Sequence, residues 1–239
     1  MTTYICTYFN INNNPLRKKL TQEFCDRYPW VILLQACYGE VCDIRSSNCV
    51  RYKLTAEKGF LIYMMINDFL KKNRVCNLVL IDSDLILENN FRDKMEAALE
   101  TSDFVHGFDK SYELIDGALT GEVIPSYYLN LVGGGHTGYI YGYSQRFLEK
   151  INHTFLDCFL LGGFDYVLAR ILTGKSLDPF KKFIFFKHIL EFAEKIRGCD
   201  YAVLVHRAIH CYHGPRHLRL APFHIYANTL YMPCYKVNC

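Results

Sequence analysis

The chain has 239 residues, of which 51% are hydrophobic and 21% charged, and a net charge of +3. That length holds one large α/β domain or two small ones, and the composition excludes a disordered chain. The small net charge makes no case for nucleic acid, whose binding needs a strongly basic surface.

Thr3–Phe9 reads as a first strand that ends in a polar loop at Asn10. Leu16–Phe24 has helical spacing with Arg17, Lys18 and Lys19 on an exposed face, and Trp30–Leu34 is a second strand, apolar throughout. A strand–helix–strand start implies a right-handed crossover and a parallel pair. Ala36–Leu54 reads as loop, broken by Gly39, Ser46, Ser47 and Asn48. Thr55–Lys72 reads as a helix capped by Thr55, burying Phe60, Met64, Ile66 and Phe69, with Lys71 and Lys72 in the last turn, where positive charge suits the dipole. Leu78–Ile81 is a third strand, uninterrupted in its apolar character as a strand covered on both faces should be. Phe91–Leu99 follows as a short helix and Phe104–Gly107 as a further strand. This βαβαβ alternation is the signature of a nucleotide-binding α/β sheet.

The second half is less regular. Tyr127–Val132 runs into Gly133, Gly134 and Gly135, with no Lys-Ser/Thr after them, so it is not a P-loop. Gly138–Tyr143 reads as a strand, Ser144 caps a helix over Gln145–Ile151, and Gly162-Gly163-Phe164-Asp165 opens a helix over Tyr166–Leu172. Phe183–Ile196 reads as a long aromatic helix and Tyr201–Val205 as a late strand, followed by HRAIHCYHGPRHLR. No repeat or linker divides the chain, so residues 1–239 are expected to form one domain, with a nucleotide-binding half to about residue 105.

The 11 cysteines are odd in number and contain no CxxC pair, which argues against a disulfide framework or a zinc ribbon and suits a reducing compartment. The first residues lack a basic n-region and an apolar h-region. The longest apolar stretch, Phe60–Leu70, contains Asn67 and Asp68 and is too short to span a bilayer. A soluble, cytoplasmic protein is expected.

Chemistry concentrates at NLVLIDSDLIL, where Asp82 and Asp84 follow the third strand with Ser83 between them. Ligands of open α/β sheets bind beyond the carboxyl ends of the strands. Two acids there repel unless a cation sits between them, and Mg2+ or Mn2+ with a phosphate oxygen fits that place.

A DxD at a strand end after a βαβ half resembles the GT-A glycosyltransferases, of the family 2-like kind, and three further segments fall in the same order. GGFD, Gly162–Asp165, is similar to their acceptor-side helix start; Gly135–Arg146 to their strand–helix element; and IHCYHG, Ile209–Gly214, to their late metal-returning segment. The resemblance implies a GT-A fold with a mostly parallel sheet flanked by helices. It implies transfer of a sugar from a nucleoside diphosphate, UDP being the expected carrier, to a glycan, protein or lipid-linked hydroxyl. It also implies Mn2+ (or Mg2+) on Asp82, Asp84 and His213, with His213 favoured over His210 because Gly214 follows it. Asp165 becomes the base of an inverting displacement, although Phe164 stands where many relatives carry a second acid. Thr7, Tyr8, Asn10, Asp43, Arg51, Lys58, Asp82, Ser83, Arg216 and Arg219 become nucleotide-sugar contacts, and Tyr8 or Phe9 a stacking ring. No nucleic-acid partner is implied, and a homodimer stays open.

Two other readings stay open on the residues alone. A HAD-like phosphohydrolase also uses a DxD, but on its first strand, with a later acidic motif that this chain lacks. A non-catalytic metal- or sugar-binding module would use the histidines and cysteines of the late segment.

Overall fold

The computed structural model describes residues 1–9, 15–38, 44–54, 62–129, 135–156 and 163–211. The first half alternates β1 (Thr2–Phe9), α1 (Pro15–Arg27), β2 (Ile32–Tyr38), β3 (Cys49–Leu54), α2 (Ile62–Lys72) and β4 (Asn77–Asp82). There follow β5 (Leu85–Ile86), α3 (Phe91–Thr101), β6 (Phe104–His106), β7 (Lys110–Ile115), β8 (Ala118–Pro125), β9 (Ile140–Tyr143) and α4 (Gln145–Lys150). The last elements are α5 (Phe164–Leu172), α6 (Phe186–Lys195), β10 (Tyr201–Val203) and β11 (Arg207–Cys211).

Seven strands make the central sheet, in the order β10-β6-β9-β4-β1-β2-β3. β1 is parallel to β2 and β4, β2 to β3 and β10 to β6; β9 alone runs against its neighbours β4 and β6. The fold is α/β with a mostly parallel sheet flanked by helices, as expected. Leu78–Ile81 of strand β4 are apolar throughout because both faces of the strand are covered. Leu78 and Leu80 pack with α2, α4, α5 and α6, whereas Val79 and Ile81 pack with α1 and α3. Burying each of these side chains contributes about 1.5–3 kcal/mol. No helix among the described residues is long and apolar enough to cross a membrane.

A second sheet of four strands has the order β5-β11-β7-β8, with β11 antiparallel to β5 and parallel to β7. Strands β5, β7 and β11 continue the chain directly from β4, β6 and β10.

Several elements differ from the sequence reading. β3 lies inside the stretch read as loop and stands at the end of the central sheet. The acid-bearing strand is therefore fourth in the chain. Pro29 and Trp30 form a turn, which moves β2 later. The β7–β8 hairpin was unexpected, yet its turn is Asp116-Gly117 with φ of 50° and 80°, the left-handed pair of a two-residue hairpin loop. Strand β11 was also unexpected. α6 is shorter than expected because Phe183 and Phe186 bond to the carbonyls three residues back, of Phe180 and Phe183, in tight turns. Of the helix expected over Thr55–Lys72, residues 55–61 lie outside the described residues.

Two polar clamps hold the layers together. The buried Asn67 of α2 donates to the Phe155 carbonyl (2.9 Å) and accepts from the Phe155 N–H (2.8 Å). Asn67→Ala leaves both backbone groups unmet in the core, at about 1–3 kcal/mol each. Urea denaturation should show a loss of about 3 kcal/mol with the slope unchanged.

Glu88 ties the start of β11 to α3, meeting Lys94 Nζ at 3.2 Å, His206 Nδ1 at 3.3 Å and the Arg207 N–H at 3.4 Å. Burial pushes the Glu88 carboxyl up, but the Lys94 hydrogen bond, the His206 ring and the Arg207 N–H outweigh it and bring it down from 4.5 to about 2. A carboxyl held below its unfolded value stabilises the fold fully above that value and loses the contribution as pH falls through the folded one. Glu88→Gln should therefore cost about 2 kcal/mol at neutral pH, allowing for solvent screening. That deficit should shrink as pH drops from 4.5 towards about 2, read by urea denaturation across the range.

Candidate active site

Asp82 closes β4 and pairs in register with Thr7 of β1. By strand alternation both share the face of Leu78, Leu80 and Ile5, on the α2–α5 side. Asp165 reaches the same region from the first turn of α5. Gly163 caps this helix at φ 92°, a conformation that glycine adopts without strain. Thr137 Oγ1 donates to Asp165 Oδ2 (2.8 Å) and the Gly163 N–H donates to Oδ1 (3.1 Å), so both carboxylate oxygens are held. Two buried tyrosines, Tyr63 and Tyr141, are within electrostatic reach of both acids. Burial pushes the Tyr63 and Tyr141 hydroxyls well up, and the negative charges of Asp165 and Asp82 add to the effect at each.

Asp84 is buried on the side of the second sheet, and its carbonyl accepts from the Cys211 N–H (2.8 Å). Its Oδ2 lies 3.7 Å from His210 Nε2, and His210 Nδ1 lies 3.2 Å from Glu113 Oε1. Burial favours a neutral His210 ring, but Asp84, then Glu113 and Asp82, outweigh it and raise its pKa above the ordinary value.

Tyr139 joins the two groups. Its ring stacks on His136 (centroids 3.8 Å apart, planes at 11°) and on His210 (4.9 Å, 20°). Its carbonyl accepts from the Asp82 N–H (2.8 Å). Its φ of 81° lies in the left-handed region, a strain of about 1–3 kcal/mol that surrounding contacts must hold. His136 Nδ1 accepts from the Gly138 N–H (2.9 Å), which leaves a neutral ring's proton on Nε2. Beneath it His106 is wholly buried, and that burial pushes it down to about 3. The neutral His106 faces the Gly138 carbonyl with Nε2 (3.2 Å) and the Ser126 hydroxyl with Nδ1 (2.7 Å), fixing the segment that carries Thr137.

The structure thus brings Thr7, Asp82, Asp84 and Asp165 to one end of the sheet. Ser83 turns the other way, its Oγ 2.9 Å from Thr21 Oγ1 of α1. Tyr8 is buried in the α1–α3 layer, a core position rather than an open stacking ring. Arg51 lies beside Cys25 and Cys49 on the α1 side, across the sheet from Asp82. Asn10, Asp43, Lys58, His213, Arg216 and Arg219 lie outside the described residues. Phe164, where a second acid was looked for, is fully buried against Tyr63 and Phe192. Sequence reasoning missed His136, Thr137, Tyr139 and Glu113 and ranked His210 second. The one local signal was GHTGY, small residues around a His-Thr pair just before a strand. Among the described residues, no three His, Cys, Asp or Glu side chains are grouped to hold a metal.

Fold and site together define an α/β protein with acids gathered at the carboxyl edge of a mostly parallel sheet. No protein-family model matches the chain, and no curated protein does. Among solved structures the chain is similar to S. aureus TarS 1-349, at 12% identity over 88% of this chain and 60% of that one, with a TM-score of 0.45. It is similar to the same protein in complex with UDP-GlcNAc, at 13% identity over 91% and 60%, with a TM-score of 0.48. It is also similar to HddC from Yersinia pseudotuberculosis, at 12% identity over 66% and 81%, with a TM-score of 0.38. The chain spans 60% of the length of the first of these TarS structures.

Proposed function

We propose that the chain is a GT-A-type glycosyltransferase that moves a sugar from a nucleoside diphosphate, with UDP as carrier, to a hydroxyl acceptor. What supports this reading is one arrangement: Asp84 set against His210, and Asp82 and Asp165 both acting on the buried Tyr63 and Tyr141.

A carboxylate oxygen and an imidazole nitrogen form a donor set that suits Mn2+ better than Mg2+. Asp84, with His210 beside it, would hold the ion together with Asp82 and with His213, which lies outside the described residues. When bound, the cation neutralises charge on the departing diphosphate. Thr7 and Asp82, paired across β1 and β4, would face the ribose. Asp165, with both oxygens oriented by Thr137 and Gly163, would accept the proton of the attacking hydroxyl, and inversion follows if it alone does so. The acceptor is a glycan, a protein or a lipid-linked sugar.

The test is a melting series with UDP, GDP and CMP, each with and without Mn2+. A ligand at a hundred times its Kd stabilises a fold by about 2.7 kcal/mol, which moves a chain of this size by several degrees. A UDP shift that needs Mn2+ is the expected result. No shift with any nucleoside diphosphate sinks the reading.

A further inference from the structure

At the turn into α6 a basic and apolar tip projects from the core. Residues 181–190 carry Lys181, Lys182 and Lys187 and no acid. All three lysines are exposed, and Ile184, between them in the chain, is 66% exposed. Two tight turns hold it there: the Phe183 N–H donates to the Phe180 carbonyl and the Phe186 N–H to the Phe183 carbonyl, both at 2.9 Å. Phe185 and Ile189 are buried in the core, which gives the tip a fixed footing. Leu190, one turn beyond the half-buried Phe186, is 44% exposed and extends the apolar strip. We propose that this tip docks the protein on an anionic membrane surface.

Charge and shape select that partner. A lipid surface takes apolar side chains at the acyl boundary and ammonium groups among anionic headgroups, so it meets both halves of the tip at once. Lysine stems lie along the apolar strip while their heads stay in the headgroup layer. The acids nearby leave the tip positive. Lys181 meets Asp178 at 2.7 Å and Lys187 meets Glu191 at 3.8 Å, exposed pairs that contribute little and that headgroup phosphates can replace. Lys182 makes no ion pair among the described residues and lies 5.7 Å from the Phe183 ring centroid. Glu194, further along α6, is engaged by Arg197. No described helix is long and apolar enough to cross a membrane, so the contact lies on the surface. Phe183 packs on Phe180 (centroids 6.0 Å apart) and Phe180 on Tyr166 (5.8 Å), the neighbour of Asp165 in α5. The membrane therefore lies on the α5 side of the protein. Given the proposed sugar transfer, on which this last step alone rests, a lipid-linked hydroxyl is the acceptor that such docking serves.

The experiment is co-sedimentation of the full chain with vesicles of phosphatidylcholine alone and of phosphatidylcholine mixed with phosphatidylserine. Binding to the mixed vesicles, weakened by salt and slight with phosphatidylcholine alone, is expected. Lys182→Gln should weaken it about fivefold and Lys181→Gln, Lys182→Gln and Lys187→Gln together about a hundredfold. Ile184→Ser should weaken it about tenfold. These side chains are exposed, so the variants should melt with the wild type. No binding to the mixed vesicles, which leaves the tip to a protein partner, overturns the proposal. So does equal binding to both vesicles, or binding that the lysine variants or Ile184→Ser leave unchanged. UDP and Mn2+ are absent throughout, so the sugar-transfer reading stands or falls separately, by its own melting series.

Discussion

Asp84→Asn is expected to abolish the Mn2+-dependent melting shift with UDP and to lower sugar transfer by about a thousandfold. A Lewis-acid cation supplies several kcal/mol of charge stabilisation at a departing diphosphate, and about 4 kcal/mol amounts to roughly three decades in rate. The substitution keeps the shape of the side chain and removes only its charge. The link from the Asp84 carbonyl to the Cys211 N–H is backbone and stays. The unliganded variant should therefore melt close to the wild type, since a buried amide needs less desolvation than a buried carboxylate. His210 then keeps Glu113 as its acidic neighbour. An Asp84→Asn protein that still shifts with UDP and Mn2+ would remove Asp84 from the site, and with it the reason to place a cation beside His210.

A large stability loss is also expected from Gly107→Ala, at about 3 kcal/mol. A methyl group at Gly107 would overlap Ile140 Cγ2 and come within 2.5 Å of Ile140 Cβ. Because Cβ is fixed to the backbone, no rotamer change relieves the contact. The Gly107 N–H also donates to the Ile140 carbonyl at 3.1 Å, which holds β6 and β9 at close quarters. The strands must part, and Tyr139, next to Ile140, moves with them. Urea denaturation reads the loss. The UDP-dependent shift should weaken in parallel, an effect that a purely local packing defect far from the site would not produce.

How far the sequence could be read depended on how local each signal was. The run Leu78–Ile81 announced a strand buried on both faces, and acids just past it stood out. Strand β3 escaped because the short run Cys49–Leu54 alternates only from Val50 on and sits directly behind the breakers Ser46, Ser47 and Asn48. The hairpin carried a readable Asp-Gly turn between Leu114-Ile115 and Ala118-Leu119, a signal the reading passed over. Asp165 was legible as an acid opening a helix behind glycines. The His136–Tyr139–His210 stack was not, because it exists only when β11 slots between β5 and β7, and no short-range pattern encodes that pairing. Phe164 is a similar case: a missing acid in the sequence turns out to be a core ring that anchors α5.

Three short connections join the second sheet to the first, besides the longer run from β8 to β9: residues 83–84 between β4 and β5, 107–109 between β6 and β7, and 204–206 between β10 and β11. These legs are also cross-braced, since the Leu204 N–H reaches the His106 carbonyl and the His206 N–H reaches Asp109 Oδ1. Three separate short legs leave a platform no free axis to tilt about. Asp82 stands on one side of the first leg and Asp84 within it, so the spacing between the paired acids works as a fixed gauge. The two sheets then act as one frame that holds both acids at a set spacing.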